Sequence, residues 1–157
     1  MAQKAIAVIG SAEARAEVCD LAYAVGREIA RQGATLVCGG RGGVMEAAAR
    51  GARAGSGHTL GILPGYNPED ANPYIEFVVA TGMGQARNVI VVASAGAVIA
   101  FEGEGGTLSE IGLAIKLGRP VVALRAWHEI SRIDHTDDPE TAVRLAVERA
   151  AQSPPSG

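Results

Sequence analysis

The feature that most constrains the fold of this chain is a repeated order of segments: a short apolar run, a glycine-containing turn and a helical pattern. In the clearest instance, the apolar residues Ala95–Phe101 lead through Gly103–Thr107 into the helical pattern Thr107–Leu117. Strands that alternate with helices pair in parallel through right-handed crossovers, so helices cover both faces of the sheet. The order therefore predicts an α/β protein with a doubly wound, mostly parallel sheet.

The other segments follow the same order. Apolar runs predict six strands: Lys4–Gly10, Ala34–Cys38, His58–Leu63, Ile75–Val79, Ala95–Phe101 and Val121–Leu124. Helical periodicity predicts five helices: Glu13–Arg31, Val44–Ala54, Gly82–Ala93, Thr107–Leu117 and Glu140–Gln152. Residues 64–73 and 127–139 are predicted to be irregular. We expect one Rossmann-like domain over residues 1–152 and a disordered tail over residues 153–157.

Composition excludes several functional classes. The chain has 157 residues and a net charge of −3, with no block of Lys and Arg, so we expect no nucleic-acid partner. No apolar run reaches the roughly 18 residues of a membrane span, and the N-terminus lacks the layout of a signal peptide. Two cysteines and three histidines lack metal-ligand spacing. These features predict a cytoplasmic protein with reduced cysteines and no metal site.

Three glycine turns follow predicted strands: Gly10-Ser11, Gly39–Gly43 and Gly103–Thr107. The carboxyl ends of parallel strands lie at one edge of a sheet, and α/β sheets bind their ligands at that edge. A glycine turn that opens a helix presents backbone N–H groups and the positive end of the helix dipole, which suits a phosphate or another anion. We therefore predict a ligand site at this edge.

The first two turns each leave two interpretations open. Neither a G-x-G-x-x-G fingerprint nor a G-x-x-x-x-G-K-[ST] loop is present. Ser11 is either a helix N-cap or a ligand contact, and Gly39–Gly43 is either a tight turn or a close approach of backbone to ligand. Arg41 can bind a carboxylate or phosphate in bidentate fashion. The ligand-binding candidates are Gly10, Ser11, Gly39, Gly40, Arg41, Gly42, Gly43, Gly103, Glu104, Gly105, Gly106 and Thr107.

Three charged residues lie in or beside the third turn, and a fourth, Arg87, lies in an earlier helical pattern. Glu110 follows the third turn by about one helical turn, close enough to act on what binds there. Arg87 lies near the start of an otherwise apolar helix and is either a surface residue or a ligand-facing guanidinium. Glu102 and Glu104 place two carboxylates beside a turn that should attract anions. They either point away or hold a hydroxylated, amino or metal-bearing group.

With these motifs placed, the chain resembles the "lonely guy" superfamily, whose enzymes release cytokinin bases from nucleoside monophosphates. The resemblance extends from Ile6 to about Leu124. The family's second-turn motif, glycines followed by G-L-M-G, is matched at residues 39–46. Its strand motif H-V-x-G-I-x-P is matched at residues 58–64, and its motif P-G-G-x-G-T-x-x-E is matched at residues 102–110. The family's R-K pair falls on Arg87-Asn88. The resemblance implies that Arg87 and Glu110 are the catalytic pair if the protein is an enzyme.

Departures from these motifs place the chain nearer a divergent branch. Glu102 replaces proline, Glu104 replaces glycine, Asn88 replaces lysine, and residues 83–86 lack the family's histidine. This pattern is similar to the short branch that includes the molybdenum-cofactor carrier proteins. Superfamily members are often labelled lysine decarboxylases, but a pyridoxal-phosphate enzyme needs a lysine at its site. Lys4 and Lys116, the two lysines, lie at the wrong ends of their elements.

These patterns favour a binding protein, a carrier or sensor, for a phosphorylated nucleotide-like or pterin-like small molecule. The molybdenum cofactor and a nucleoside monophosphate are the ligands that the resemblance implies. The alternative is a nucleoside 5′-monophosphate phosphoribohydrolase, in which Glu110 activates water and stabilises oxocarbenium-like charge. A third interpretation is an oligomeric scaffold with a vestigial pocket. The helical segments at 89–92 and 111–117 are apolar on more than one face, which predicts a homodimer or higher homo-oligomer.

Overall fold

The computed structural model describes residues 4–153, which form one seven-stranded sheet with five α-helices and two short 3-10 helices. The strands are β1 Ala5–Ile9, β2 Thr35–Cys38, β3 Thr59–Leu63, β4 Phe77–Ala80, β5 Ala97–Ala100, β6 Val121–Leu124 and β7 Asp134–Thr136. The α-helices are α1 Ala16–Arg31, α2 Val44–Ala54, α3 Asn88–Ala93, α4 Gly105–Lys116 and α5 Pro139–Gln152. The 3-10 helices are Pro68–Asp70 and Gly84–Arg87.

The strands are arranged in the order β4-β3-β2-β1-β5-β6-β7, and every neighbouring pair is parallel. This confirms the predicted α/β, Rossmann-like fold. Gly10, Gly39 and Gly103 all follow the carboxyl ends of their strands, so they share one edge as predicted. The order reverses between β1 and β5, and the crevice outside such a switch point is where α/β sheets bind ligands.

Two apolar clusters on opposite faces of the sheet hold the helices. Ile6 and Val8 of β1 pack in the cluster that contains residues of α1, α2 and α5. Ala7 and Ile9 point to the other face and pack in the cluster that contains residues of α3 and α4. Successive strand residues alternate between faces, so a strand that is apolar throughout requires cover on both sides. The sheet is therefore doubly wound.

Several elements differ from the prediction. Residues 127–139 were predicted to be irregular, yet β7 pairs there with β6 although its three residues, Asp-His-Thr, lack an apolar pattern. The helix predicted over Gly82–Ala93 begins as 3-10 turns and becomes α-helical at Asn88. Strand β4 begins two residues later than predicted. Helix α4 begins at Gly105, so two glycines assigned to the turn belong to the first helical turn.

Residues 154–157 of the predicted tail lie outside the described residues. Within residues 4–153, no helix combines the length and apolarity needed to cross a bilayer.

Candidate functional site

A cleft of about 610 Å³ opens at the carboxyl edge of the sheet, at the switch point between β1 and β5. It is lined by Gly10, Ser11, Ala12, Glu13, Arg41, Met45, Pro64, Gln85, Arg87, Asn88, Glu104, Gly106, Thr107 and Glu110. Its volume lies within the roughly 300–1,000 Å³ range of small-molecule sites. Sequence-predicted residues from all three glycine turns therefore meet in one cleft with Arg87 and Glu110.

Arg87 is a buried cation at the wall of this cleft. It ends the 3-10 helix Gly84–Arg87, and only 8% of the residue is exposed. Its Nη1 donates to the Asn88 Oδ1 at 2.6 Å, whereas its buried Nε–H has no acceptor among the described residues. Burial lowers the pKa of the guanidinium, and the charge of Glu110 opposes this effect. The sequence left the exposure of Arg87 open; the structure shows that it is not a surface residue.

Gly39 makes room for this guanidinium. A β-carbon placed on Gly39 would lie 2.8 Å from Arg87 Nη2 and 2.9 Å from Nη1. Side chains at this position would therefore displace the arginine. Gly39 does not line the cleft itself, so its contact with Arg87 is its visible structural contribution to the site.

Glu110 is the second buried charged group. It lies on α4 and is 7% exposed, and no hydrogen bond or ion pair to its carboxylate forms within residues 4–153. Burial raises the pKa of Glu110 to about 7, partly offset by the positive charge of Arg87. A carboxyl with this pKa can exchange a proton near neutral pH, which is what a general acid or base requires.

The first turn of α4 contributes to the cleft. Gly106 and Thr107 line the cleft, and Thr107 is buried. The backbone N–H groups of a helix's first turn lack intrahelical acceptors and carry partial positive charge. Glu104, at the N-cap position, also lines the cleft and adds a negative charge beside this end.

Glu102 and Glu104 have different environments. The Glu102 carboxylate accepts from Arg15 Nη2 at 3.2 Å, and it lines a small separate cavity of about 60 Å³ beside α1. Of the two carboxylates, only Glu104 lines the main cleft. Glu102 is therefore directed away from the main cleft, whereas Glu104 lines it.

The second glycine turn contributes to the cleft mainly through Arg41. Gly43 has a φ of +61°, and a β-carbon there would lie within 2.6 Å of backbone atoms of Ser11 and Ala12. Asn72, which sequence reasoning did not select, braces the turn because its Nδ2 donates to the Arg41 carbonyl at 2.8 Å. Gly40, Gly42 and Gly43 do not line the main cleft. The glycines of this turn therefore serve mainly to let neighbouring parts of the chain pack closely.

Ser11 was one possible helix N-cap, and that interpretation is wrong. Helix α1 begins at Ala16 with Arg15 at the N-cap position, four residues beyond Ser11. The Ser11 hydroxyl instead accepts from the Glu13 backbone N–H at 3.1 Å, which shapes the loop after β1. The loop is tied to the neighbouring turns because Ser11 N donates to Glu102 O and Ser11 O accepts from Val44 N.

The charges that line the cleft are mixed. Arg41 and Arg87 provide two cations, and Glu13, Glu104 and Glu110 provide three carboxyl groups. No group of three or more metal-ligating side chains occurs within residues 4–153. The Cys38 thiol lies beneath the site, and burial raises its pKa to about 12, so it carries no charge.

The fold and cleft together define the class of this protein: a Rossmann-like α/β protein with a small-molecule cleft at the switch point of its sheet. The chain belongs to the SLOG cluster4 family, whose model matches residues 3–152. A relative from Archaeoglobus fulgidus, described as an uncharacterized protein, is 42% identical over 142 residues, which cover 90% of this chain and 93% of the relative.

Solved structures of similar chains include proteins described as binding or carrying the molybdenum cofactor. The molybdenum cofactor binding protein of Rippkaea orientalis is 35% identical, with a TM-score of 0.87 over 92% of this chain and 96% of its own. The Moco carrier protein of Chlamydomonas reinhardtii is 29% identical, with a TM-score of 0.85 over 96% of this chain and 99% of its own. These similarities confirm the predicted resemblance to the branch of molybdenum-cofactor carrier proteins.

Proposed function

We propose that this protein is a carrier or sensor that binds a phosphorylated, nucleotide-like or pterin-like small molecule in the cleft at the carboxyl edge. The observation that carries the proposal is the buried Nε–H of Arg87, which lacks an acceptor at the wall of the cleft. A buried unsatisfied donor costs free energy and calls for a partner such as a ligand oxygen. The first turn of α4 supplies further donors to the same cleft.

The mixed charges narrow the ligand class. Arg41, Arg87 and the α4 N-terminus attract an anion, whereas Glu13 and Glu104 repel a second one and accept N–H or O–H groups. A ligand with one phosphoryl group and several amino, amide or hydroxyl groups satisfies both sets. A nucleic-acid strand would bring a further phosphate against these carboxylates, so we propose a small molecule as the partner.

The site residues fit the organic part of the molybdenum cofactor, which similar proteins are described as binding. Arg87, Gly106 and Thr107 would hold its phosphate, and Glu104 and Glu13 would accept from the pterin N–H groups. The buried Cys38 thiol carries no charge, and the described residues hold no group of three or more metal-ligating side chains, so the protein's contacts would be to the organic portion.

A thermal-shift screen tests the proposal with adenosine 5′-monophosphate, a phosphorylated pterin and inorganic phosphate as probes. A ligand at 100 times its Kd stabilises a protein by roughly 2.7 kcal/mol. The double variant Gly106→Val/Thr107→Ala should lose that stabilisation, whereas the control Gly112→Val, elsewhere on the same helix with open space around it, should keep it. Equal affinity of the double variant in calorimetry would refute binding at this turn.

Glu110 favours a second candidate, hydrolysis of the N-glycosidic bond of a nucleoside 5′-monophosphate. Its pKa of about 7 suits a group that activates water, and Arg87 lies close enough to influence that pKa. Chromatography of adenine after incubation with adenosine 5′-monophosphate separates the two functions. The carrier proposal predicts weak or no release of adenine. Turnover at a typical enzyme rate, abolished by Glu110→Ala, would make the hydrolase the answer.

We also propose that the protein acts as a homo-oligomer in the cytoplasm. Leu108, on the first turns of α4, is 50% exposed, and Leu113 and Ile115 on the same helix are only half-buried. A second subunit would cover this apolar surface. Light scattering at micromolar concentration should give at least twice the mass of one chain, and a single-chain mass would refute the proposal.

A further inference from the structure

Asn88 is a buried polar residue at the cleft that sequence reasoning treated only as a lost lysine. It is 3% exposed and begins α3, directly after Arg87. Its Oδ1 accepts from Arg87 Nη1 at 2.6 Å, and its Nδ2 donates to Ser109 Oγ at 3.1 Å. The Ser109 hydroxyl in turn donates to the Gly106 carbonyl at 2.6 Å. One carboxamide thus connects the guanidinium to the first turn of α4.

The connection spans two separate elements of the site. Arg87 is carried by the 3-10 helix before α3, and Gly106 belongs to α4, which α3 packs against. Within residues 4–153, Asn88 is the only side chain that forms a hydrogen bond with the Arg87 guanidinium. Glu110 influences Arg87 through its charge but does not form an ion pair with it in the described part of the chain. Asn88 is therefore the group that fixes where the guanidinium lies.

We propose that Asn88 is a positioning residue for anion binding: it locks Arg87 against the first turn of α4, so that the free Nε–H and the α4 backbone donors bind one phosphoryl group together. This inference rests on the proposed function of the cleft. It assigns to Asn88 a role that a cation could not fill.

The chemistry of the carboxamide explains why asparagine suits this position. One end accepts a hydrogen bond from Arg87 and the other end donates one to Ser109. A lysine could only donate, so it could not hold the guanidinium and would repel it. An aspartate could accept from Arg87, but it would neutralise the cation and could not donate to Ser109. The neutral asparagine fixes Arg87 and leaves its charge available to the ligand.

The first measurement needs no ligand. The exchange rate of the Arg87 Nε–H with water, followed by NMR, reports how firmly the guanidinium is held. Asn88→Ala should accelerate this exchange at least about tenfold, since the constraint is one charge-assisted hydrogen bond. Asn67→Ala removes a carboxamide that caps the other 3-10 helix, Pro68–Asp70, and has no hydrogen bond to Arg87, so it should leave the rate unchanged. An unchanged rate in a folded Asn88→Ala variant would overturn the proposal.

The second measurement is the Kd for adenosine 5′-monophosphate in a double-mutant cycle. Asn88→Ala should weaken binding about tenfold, and Ser109→Ala, a change at an exposed site, should weaken it less. Both substitutions break the same chain of hydrogen bonds from Arg87 through Asn88 and Ser109 to Gly106, so the double variant should bind no more weakly than Asn88→Ala alone. Losses that multiply would contradict a shared network.

Three further outcomes also bear on the proposed role of Asn88. If Asn88→Ala does not fold, Ser109→Ala still tests the connection through the exchange rate of Arg87. Asn88→Asp keeps the size of the side chain but places a negative charge beside Arg87. Weak ligand binding by this folded variant would show that binding depends on the neutral carboxamide and not only on the packing of the side chain. If the wild-type protein binds neither adenosine 5′-monophosphate nor the phosphorylated pterin, the proposed ligand class fails, while the exchange measurement still decides the role of Asn88.

Discussion

The two glycine-rich turns at the carboxyl edge look alike in sequence but have different structural roles. In the turn at 39–43, the glycines provide space: Gly39 accommodates Arg87, and Gly43 approaches the backbone after β1. In the turn at 103–107, Gly105 and Gly106 have open space around their α-carbons and begin α4. The first turn is shaped by what packs against it, and the second exposes a helix N-terminus to the cleft.

The difference shows that a run of glycines does not by itself identify a ligand-binding backbone. A β-carbon at Gly43 would overlap other backbone, whereas one at Gly106 would meet no atom within 4 Å. The fold therefore requires glycine at position 43. At position 106 the fold tolerates a side chain, so a requirement for glycine there would have to come from the ligand.

The largest expected effect is on stability. Gly43→Ala should lower the free energy of unfolding by about 2–6 kcal/mol, because a positive φ and an overpacked contact each cost roughly 1–3 kcal/mol. Gly106→Ala should leave it unchanged or raise it by up to about 1 kcal/mol, because alanine is the better helix former. Urea unfolding of both variants measures the difference. Equal losses would show that the two turns do not differ in this way.

The second effect is a pH dependence at the α4 side of the cleft. The Glu110 carboxyl has a higher pKa in the folded protein, about 7, than its ordinary 4.5. Folding therefore favours its protonated form, and the stability of the wild type falls as pH rises from about 4.5 to 7. Glu110→Gln should be more stable than the wild type at pH 8 by on the order of 3 kcal/mol, and the advantage should disappear at pH 4.

Urea unfolding of the wild type and of Glu110→Gln across this pH range checks that dependence. Glu76→Gln is a suitable comparison because the pKa of Glu76 is lowered by its hydrogen bond to His58. That substitution should not become stabilising at high pH. A Glu110→Gln advantage that is independent of pH would contradict the buried, titrating carboxyl.

The smallest effect concerns the strand that leads to the turn at 103–107. Trp127 Nε1 donates to the Phe101 carbonyl at 2.8 Å, just before this turn. Trp127→Phe removes the donor and should cost about 1 kcal/mol, the usual net value of one hydrogen bond. Tyr66→Phe, at a residue that is 84% exposed, should cost less. Thermal unfolding of both variants shows whether the hydrogen bond of Trp127 stabilises the protein. Equal losses for the two variants would show that it does not.

The sequence predicted the parallel sheet because its apolar runs and glycine turns are local signals. It missed β7, whose three residues join the sheet through pairing with β6 and lack an apolar pattern. It misassigned the start of α4, because a helix can begin on two glycines when the chain around them fixes the geometry. Both features depend on contacts between distant parts of the chain, which local sequence patterns do not show.

The site was predicted unevenly for the same reason. Arg87, Glu110, Arg41 and Thr107 were chosen for their chemistry, and the structure brings them into one cleft. The roles of Gly39 and Asn88 could not be read from sequence, because each depends on where the Arg87 guanidinium lies. Asn72 carries no motif and acts on Arg41 from a loop thirty-one residues away.

The most direct test of the central claim is an NMR titration of the wild-type protein with the ligand that gives the largest thermal shift. Binding at the carboxyl edge predicts that the Arg87 Nε–H and the backbone N–H groups of Gly106 and Thr107 shift together, with one common Kd. The backbone N–H of Gly112, farther along α4, should move little. Saturable binding that leaves these three signals in place would contradict the account.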